Sequence, residues 1–121
     1  MKIDKLWNGL KRIANGYYVL DGDLISEETI EINLDDCFVV NGKIWTKKSI
    51  VVCCGIKAGE GIEAGWGIKA KTFINASKRI FAGISLYCTS KDCDKTIRCS
   101  ELRNGEICYG DLTIIENGEK R

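Results

Sequence analysis

From residue 55 to 84 the chain reads GIKAGEGIEAGWGIKAKTFINASKRIFAGI, and isoleucine returns at every sixth position, at Ile56, Ile62, Ile68, Ile74 and Ile80. An alanine follows two places after each of them. The frame runs on in both directions, back through Ile50, Ile44, Phe38 and Ile32 and forward to Leu86. The positions two later (Leu34, Val40, Thr46, Val52 and, at the far end, Cys88) are apolar or small as well. A spacing of two places both residues on one face of a short strand, and the rest of each hexad makes a corner. A helix cannot hold a period of six on one face, and each glycine inside it would cost about 1 kcal/mol. Hairpins at this spacing would leave strands too short to pair.

The pattern predicts an all-β chain: a short, three-sided parallel β-helix, or β-solenoid. Three hexads close one coil of about 18 residues, and coils stack about 4.8 Å apart. In that register Ile32, Ile50, Ile68 and Leu86 form one interior ladder, Phe38, Ile56 and Ile74 a second, and Ile44, Ile62 and Ile80 a third. The alanines leave room for isoleucines from the neighbouring sides. The chain contains no proline, which suits a ladder that needs almost every backbone N–H.

The ends of such a stack require caps. Residues 4–14, DKLWNGLKRIA, place Leu6, Leu10, Ile13 and Ala14 at helical spacing, with Asn15 and Gly16 as a stop. The expectation is one domain over residues 1–121: a capping helix at 1–16, solenoid coils at 17–91, and closing strands and tail at 92–121. Ile97 to Cys99, Glu106 to Tyr109 and Leu112 to Ile114 resume the alternation and are predicted to pair with the last coil.

At 121 residues, 45% apolar and 29% charged, the composition is that of an ordinary globular domain. No apolar run approaches the roughly 20 residues that span a bilayer, and no basic stretch leads into an apolar one at the start. No membrane association and a cytoplasmic location are therefore expected. Seven cysteines cannot all pair within the chain, so reduced thiols are predicted. The net charge of +1 conceals a segregation. Residues 43–80 hold eight basic and two acidic side chains, whereas residues 1–42 hold four and eight.

The G-x-I-x-A order resembles the bactofilins, which implies a right-handed triangular solenoid without catalytic residues. The IEAG and IKAG units also resemble hexad-repeat proteins of Firmicutes and their phages. In the hexapeptide acyltransferases the small residue precedes the large one, and here it follows. Those enzymes typically use a histidine base, and this chain has no histidine. That absence also removes the Ser-His and Cys-His nucleophile pairs and the commonest metal ligand. The glycines around Glu60 and Trp66 lack the lysine and helix of a phosphate-binding loop. Cys88, Cys93, Cys99 and Cys108 lack the paired spacing of a zinc knuckle, so no metal is assigned. The pairs Asp21/Asp23, Glu27/Glu28 and Asp35/Asp36 read as a solvated acidic face, since a filled solenoid offers no pocket for paired catalytic carboxylates. No enzyme and no cofactor are predicted.

The outward positions carry the functional reading. Trp45, Glu63 and Phe81 should stack on one outer side, and Lys48, Trp66 and Ile84 near a corner. Aromatic anchors among lysines are what a protein-binding patch contains. The predicted partner-binding set is Trp45, Trp66, Phe81, Lys48, Lys69, Lys71, Lys78 and Arg79. The competing reading packs these side chains under a terminal segment or against another copy. Single-stranded nucleic acid is a less favoured partner, because only one of the eight cations in the band is arginine. The sequence thus points to a non-enzymatic binding protein with a protein partner. By analogy of size and repeat type, it would be an anti-defence inhibitor from a phage or mobile element that binds a host protein such as a CRISPR-type nuclease. The alternative is a bactofilin-like structural protein forming a homo-dimer, larger oligomers or filaments.

Overall fold

The structure, a computed structural model, describes residues 1–4, 6–7, 10–13, 16–83 and 95–115. It is a β-solenoid with three flat faces. The first face stacks β1 (Lys2–Ile3), β5 (Ile30–Ile32), β8 (Ile50–Val52), β11 (Ile68–Ala70), β13 (Thr96–Cys99) and β15 (Asp111–Ile114). The second stacks β3 (Tyr18–Leu20), β6 (Phe38–Val40), β9 (Ile56–Ala58), the first part of β12 (Phe73–Ala82) and the first part of β14 (Glu101–Tyr109). The third stacks β4 (Leu24–Ser26), β7 (Ile44–Thr46), β10 (Ile62–Ala64) and the later parts of β12 and β14. All of these pairings are parallel. One further strand, β2 (Lys11–Arg12), adds antiparallel to β3.

Most strands are three residues long, with the outer two side chains turned inward. Ile56, Ala58, Ile62, Ala64, Ile74, Ala76, Ile80 and Ala82 are completely buried. The ladders Phe38–Ile56–Ile74 and Ile44–Ile62–Ile80 form as the hexad requires, and Ile50 lies on Ile68. Alanine lets three isoleucine-bearing sides converge on a narrow axis. Each buried isoleucine contributes on the order of 1.5–3 kcal/mol relative to exposure. Thr46 is the buried polar side chain among the described residues, and its hydroxyl donates to the Glu28 carbonyl at 2.5 Å.

Three expectations are corrected. Ile50 stacks on Ile30, while Ile32 lies beside Val52. The corner at residues 33–37 is longer than the equivalent corner at 53–55, so the first coil takes 20 residues where the next takes 18. Both Ile30 and Ile32 point inward, and a frame of six carried back past Phe38 lands on the wrong one. At the other end Leu86 lies outside the described residues, and the place next to Ile68 in the ladder is taken by Ile97.

The third correction concerns the N-terminal cap, which is not a helix among the described residues. Lys2–Ile3 and Lys11–Arg12 are strands on the edges of two faces. The open backbone edge of the first coil can be satisfied only by extended chain, and that need outweighs the helical spacing of Leu6, Leu10 and Ile13. Leu6 and Ile13 face solvent, while Ile3 is fully buried and Trp7 and Leu10 pack on the core.

The C-terminal strands stack as expected, but the last coil is contracted. Between Asn75 and Arg79 β12 runs through Ala76, Ser77 and Lys78, three residues that β14 spans with Gly105 alone. Gly105 and Gly110 adopt φ of +123° and +121°, and an added Cβ would meet Ile80 Cδ1 at 2.6 Å and Ile97 Cδ1 at 3.0 Å respectively. The shortened coil thus draws its backbone in over the core.

Candidate functional site

The contracted last coil leaves the corner at Ser77, Lys78 and Arg79 projecting. Together with the third face it forms a cleft of about 710 Å³. The predicted outer column is present: Ile25, Trp45, Glu63, Phe81 and Tyr109 occupy successive rungs. Trp45, Glu63 and Phe81 line the cleft, and the Trp45 Nε1–H donates to Glu63 Oε2 at 3.2 Å, which orients both side chains. Lys43, Lys78 and Arg79 stand along the corner beside them. Gly61 belongs to the floor, because a Cβ there would lie 2.8 Å from the Arg79 carbonyl oxygen.

The partner-binding residues predicted from sequence do not form one patch. Trp45, Phe81, Lys78 and Arg79 meet in this cleft. Lys48 and Trp66 share a smaller hollow at the next corner, with Lys48 Nζ 6.0 Å from the Trp66 ring centre. Lys69 and Lys71 lie beside Val51 and Cys53 on the first face. Ile84, expected near Trp66, lies outside the described residues. The cationic stretch is contiguous in sequence, but a coil of 18 residues distributes it over three sides.

Charge pairing separates these groups further. Lys47 and Lys48 reach Glu27 and Glu28 on the preceding coil, at 3.4 and 3.0 Å, and Lys11 reaches Asp21 at 3.2 Å. These contacts hold the Asp21 and Glu28 carboxyls below their ordinary range, through hydrogen bonds from Lys11 and Asn41 and from Lys48 respectively. No ion pair to a described residue is made by Lys43, Lys78 or Arg79. Among the described residues the cleft therefore gathers aromatic surface, three cations without an ion pair and three carboxylates, while the lysines nearest Trp66 are paired.

No family model, curated protein or solved structure matches the chain.

The expectation that a solenoid offers no pocket fails on its outer side. Glu60, Glu63 and Glu106 line the cleft, as do Asn104 and Gly105. Glu106 and Asn104 were beyond sequence reasoning because their place depends on the contracted register of β14. The isolated Gly105 within an alternating run was the available signal, since such a glycine marks a bulge or close approach.

The five described cysteines are free thiols. Cys99 is buried in the core and Cys108 is exposed on another face, so these two do not converge; Cys88 and Cys93 lie outside the described residues. Among the described residues no group of histidine, cysteine and carboxylate side chains is arranged to hold a metal. No helix among them is long and apolar enough to cross a membrane.

Proposed function

We propose that the protein is a non-catalytic binding module whose cleft at Trp45, Phe81, Lys78 and Arg79 receives a segment of a partner protein. In the concrete version it is an inhibitor carried by a phage or mobile element, and its target is a host defence protein such as a CRISPR-type nuclease. The carrying observation is the cleft itself, where three cations without an ion pair among the described residues flank two aromatic side chains. Aromatic anchors supply most of the energy in such contacts, and rim charges steer encounter. Glu60, Glu63 and Glu106 line the same cleft as the three cations, and this mixed charge suits a protein segment that carries both signs better than the uniformly charged backbone of single-stranded nucleic acid.

The test is a cleavage reaction of a purified CRISPR-type nuclease with the protein added. Inhibition is expected, and it should be lost in a Trp45→Ala/Arg79→Glu variant that still folds. Full cleavage in the presence of excess protein, or inhibition indifferent to both substitutions, refutes the reading. A steeply salt-dependent gel shift with oligonucleotides would transfer the cleft to nucleic acid instead.

The second reading, an end-to-end structural assembly, draws on the exposed apolar side chains of the last rung, Leu112 and Ile114. It predicts mass that grows with concentration.

A further inference from the structure

Two columns of outward positions run up the third face. Lys43 and Trp45 flank the buried Ile44, Gly61 and Glu63 flank Ile62, and Arg79 and Phe81 flank Ile80. The three isoleucines lie in register, so Lys43, Gly61 and Arg79 stack as one column and Trp45, Glu63 and Phe81 as the other. Successive rungs are about 4.8 Å apart, and positions two apart along a strand about 6.6 Å.

The middle rung differs from its neighbours in both columns. In the first, Gly61 has no side chain, which leaves an interval of about 9.6 Å between the two cationic positions. A Cβ there would lie 2.8 Å from the Arg79 carbonyl oxygen, so close stacking keeps the position bare. In the second, the interval between two aromatic residues holds the half-buried Glu63. Its Oε2 accepts from Trp45 Nε1, and no cation among the described residues pairs with it. Lys43 and Arg79 likewise lack an ion pair among the described residues. The middle rung thus offers a negative locus between aromatic residues and a positive locus between cations, about 6.6 Å apart.

We propose that the segment received by the cleft is extended and carries a basic and an acidic side chain two residues apart. This rests on the reading of the cleft as a protein-binding site and deepens it. The basic group lies over Glu63, one rung from both Trp45 and Phe81, inside the roughly 6 Å over which an aromatic ring attracts a cation. The acidic group lies over Gly61, between Lys43 and Arg79, whose guanidinium can donate two parallel N–H bonds to one carboxylate. In an extended segment side chains two apart share a face at about 6.6 Å, which matches the two loci. Adjacent residues point to opposite faces, and helical neighbours stand only about 5–6 Å apart. A run of acidic residues would meet Glu63 and, on the rung after Arg79, Glu106. A run of basic ones would meet Lys43 and Arg79.

Panning a randomised heptapeptide library on the intact protein tests this. The expected result is enrichment of one basic and one acidic residue separated by a single position, in peptides whose binding is lost in Trp45→Ala. For a selected peptide, Glu63→Gln should weaken binding up to about fivefold and abolish the preference for the base while keeping that for the acid. The double variant Lys43→Gln/Arg79→Gln should do the converse, and circular dichroism should show both variants folded. Peptides that need Trp45 but carry the charges at another spacing, carry no such pair, or bind both folded variants unchanged overturn the inference and leave the protein-binding reading standing. Failure to select any peptide that needs Trp45 overturns both.

Discussion

Ile68 and Ile25 are the same residue in the same kind of three-residue strand, but Ile68 is 1% exposed in the interior and Ile25 is 52% exposed on the outside. Truncating Ile68 to alanine removes three carbons from the core, a transfer loss of about 2.4 kcal/mol. A cavity adds to that loss. Ile50 and Ile97 hold the neighbouring rungs of its ladder, so the space cannot close easily. The total should be about 4 kcal/mol, in the upper half of the range for such substitutions. Ile25→Ala loses about half as much buried area and opens no cavity, only part of a contact with Trp45, the next residue in its column. Its cost should stay near 1 kcal/mol. Urea unfolding followed by tryptophan fluorescence and circular dichroism would measure both, with the slope checked for constancy. Equal costs, or a larger cost for Ile25, would refute the assignment of inward and outward positions.

Gly59 and Gly22 should fail for different reasons when changed to alanine. A Cβ at Gly59 would lie 2.2 Å from the Asn41 carbonyl oxygen, backbone against backbone, and thermal unfolding should show a loss of about 1–3 kcal/mol. Gly22 has φ of +88° with nothing within 4 Å, so the cost there is the strain of an L side chain at positive φ, about 1 kcal/mol, and a D-alanine at that position should avoid it. Cys53 and Cys108 are exposed and should be alkylated in the native protein, whereas Cys99 should react only on unfolding, as read by mass mapping. Burial raises the thiols of Cys99, Cys37 and Cys54, so the native state retains their protons longer than the unfolded chain does. Their contribution is complete below the unfolded thiol pKa of about 8.5 and should diminish as pH rises beyond it, visible as a falling melting temperature. The opposite sign holds for Glu28, whose carboxyl is lowered chiefly by Lys48: its small contribution is present at neutral pH and lost on acidification. Lys48→Met should move the Glu28 titration, followed by carboxyl NMR, back toward the ordinary glutamate range.

The core from Phe38 to Ala82 was legible because a solenoid interior repeats one steric demand. Each strand must present a large residue and then a small one, and a six-residue spacing records it directly. Legibility ended where corner length changed. Nothing in the residues at 33–37 states that two extra residues are accommodated there, and both Ile30 and Ile32 satisfy the inward pattern. The N-terminal cap was misread because its form is imposed by the edge it covers. Leu6, Leu10 and Ile13 have helical spacing, yet the unpaired first coil recruits Lys2–Ile3 and Lys11–Arg12 as strands. Half of the cleft followed from the coil length, which stacks Trp45, Glu63 and Phe81. The other half, Asn104 and Glu106, depends on Gly105 standing opposite three residues of β12. That contraction is a three-dimensional fact, set by how the last coil closes over Ile80.

The central claim is that eighteen residues carry the backbone once around a triangular core from Phe38 to Ala82, between a longer first coil and C-terminal turns of other lengths. Methyl and amide NOE spectroscopy of isotope-labelled protein tests it most directly. Contacts linking Ile30 to Ile50, Ile50 to Ile68 and Ile68 to Ile97, with Val51 and Lys69 amides adjacent on the outside, are the predicted result. Helical contacts between residues three apart over 56–70, or Ile50 meeting Ile32 in place of Ile30, would contradict it.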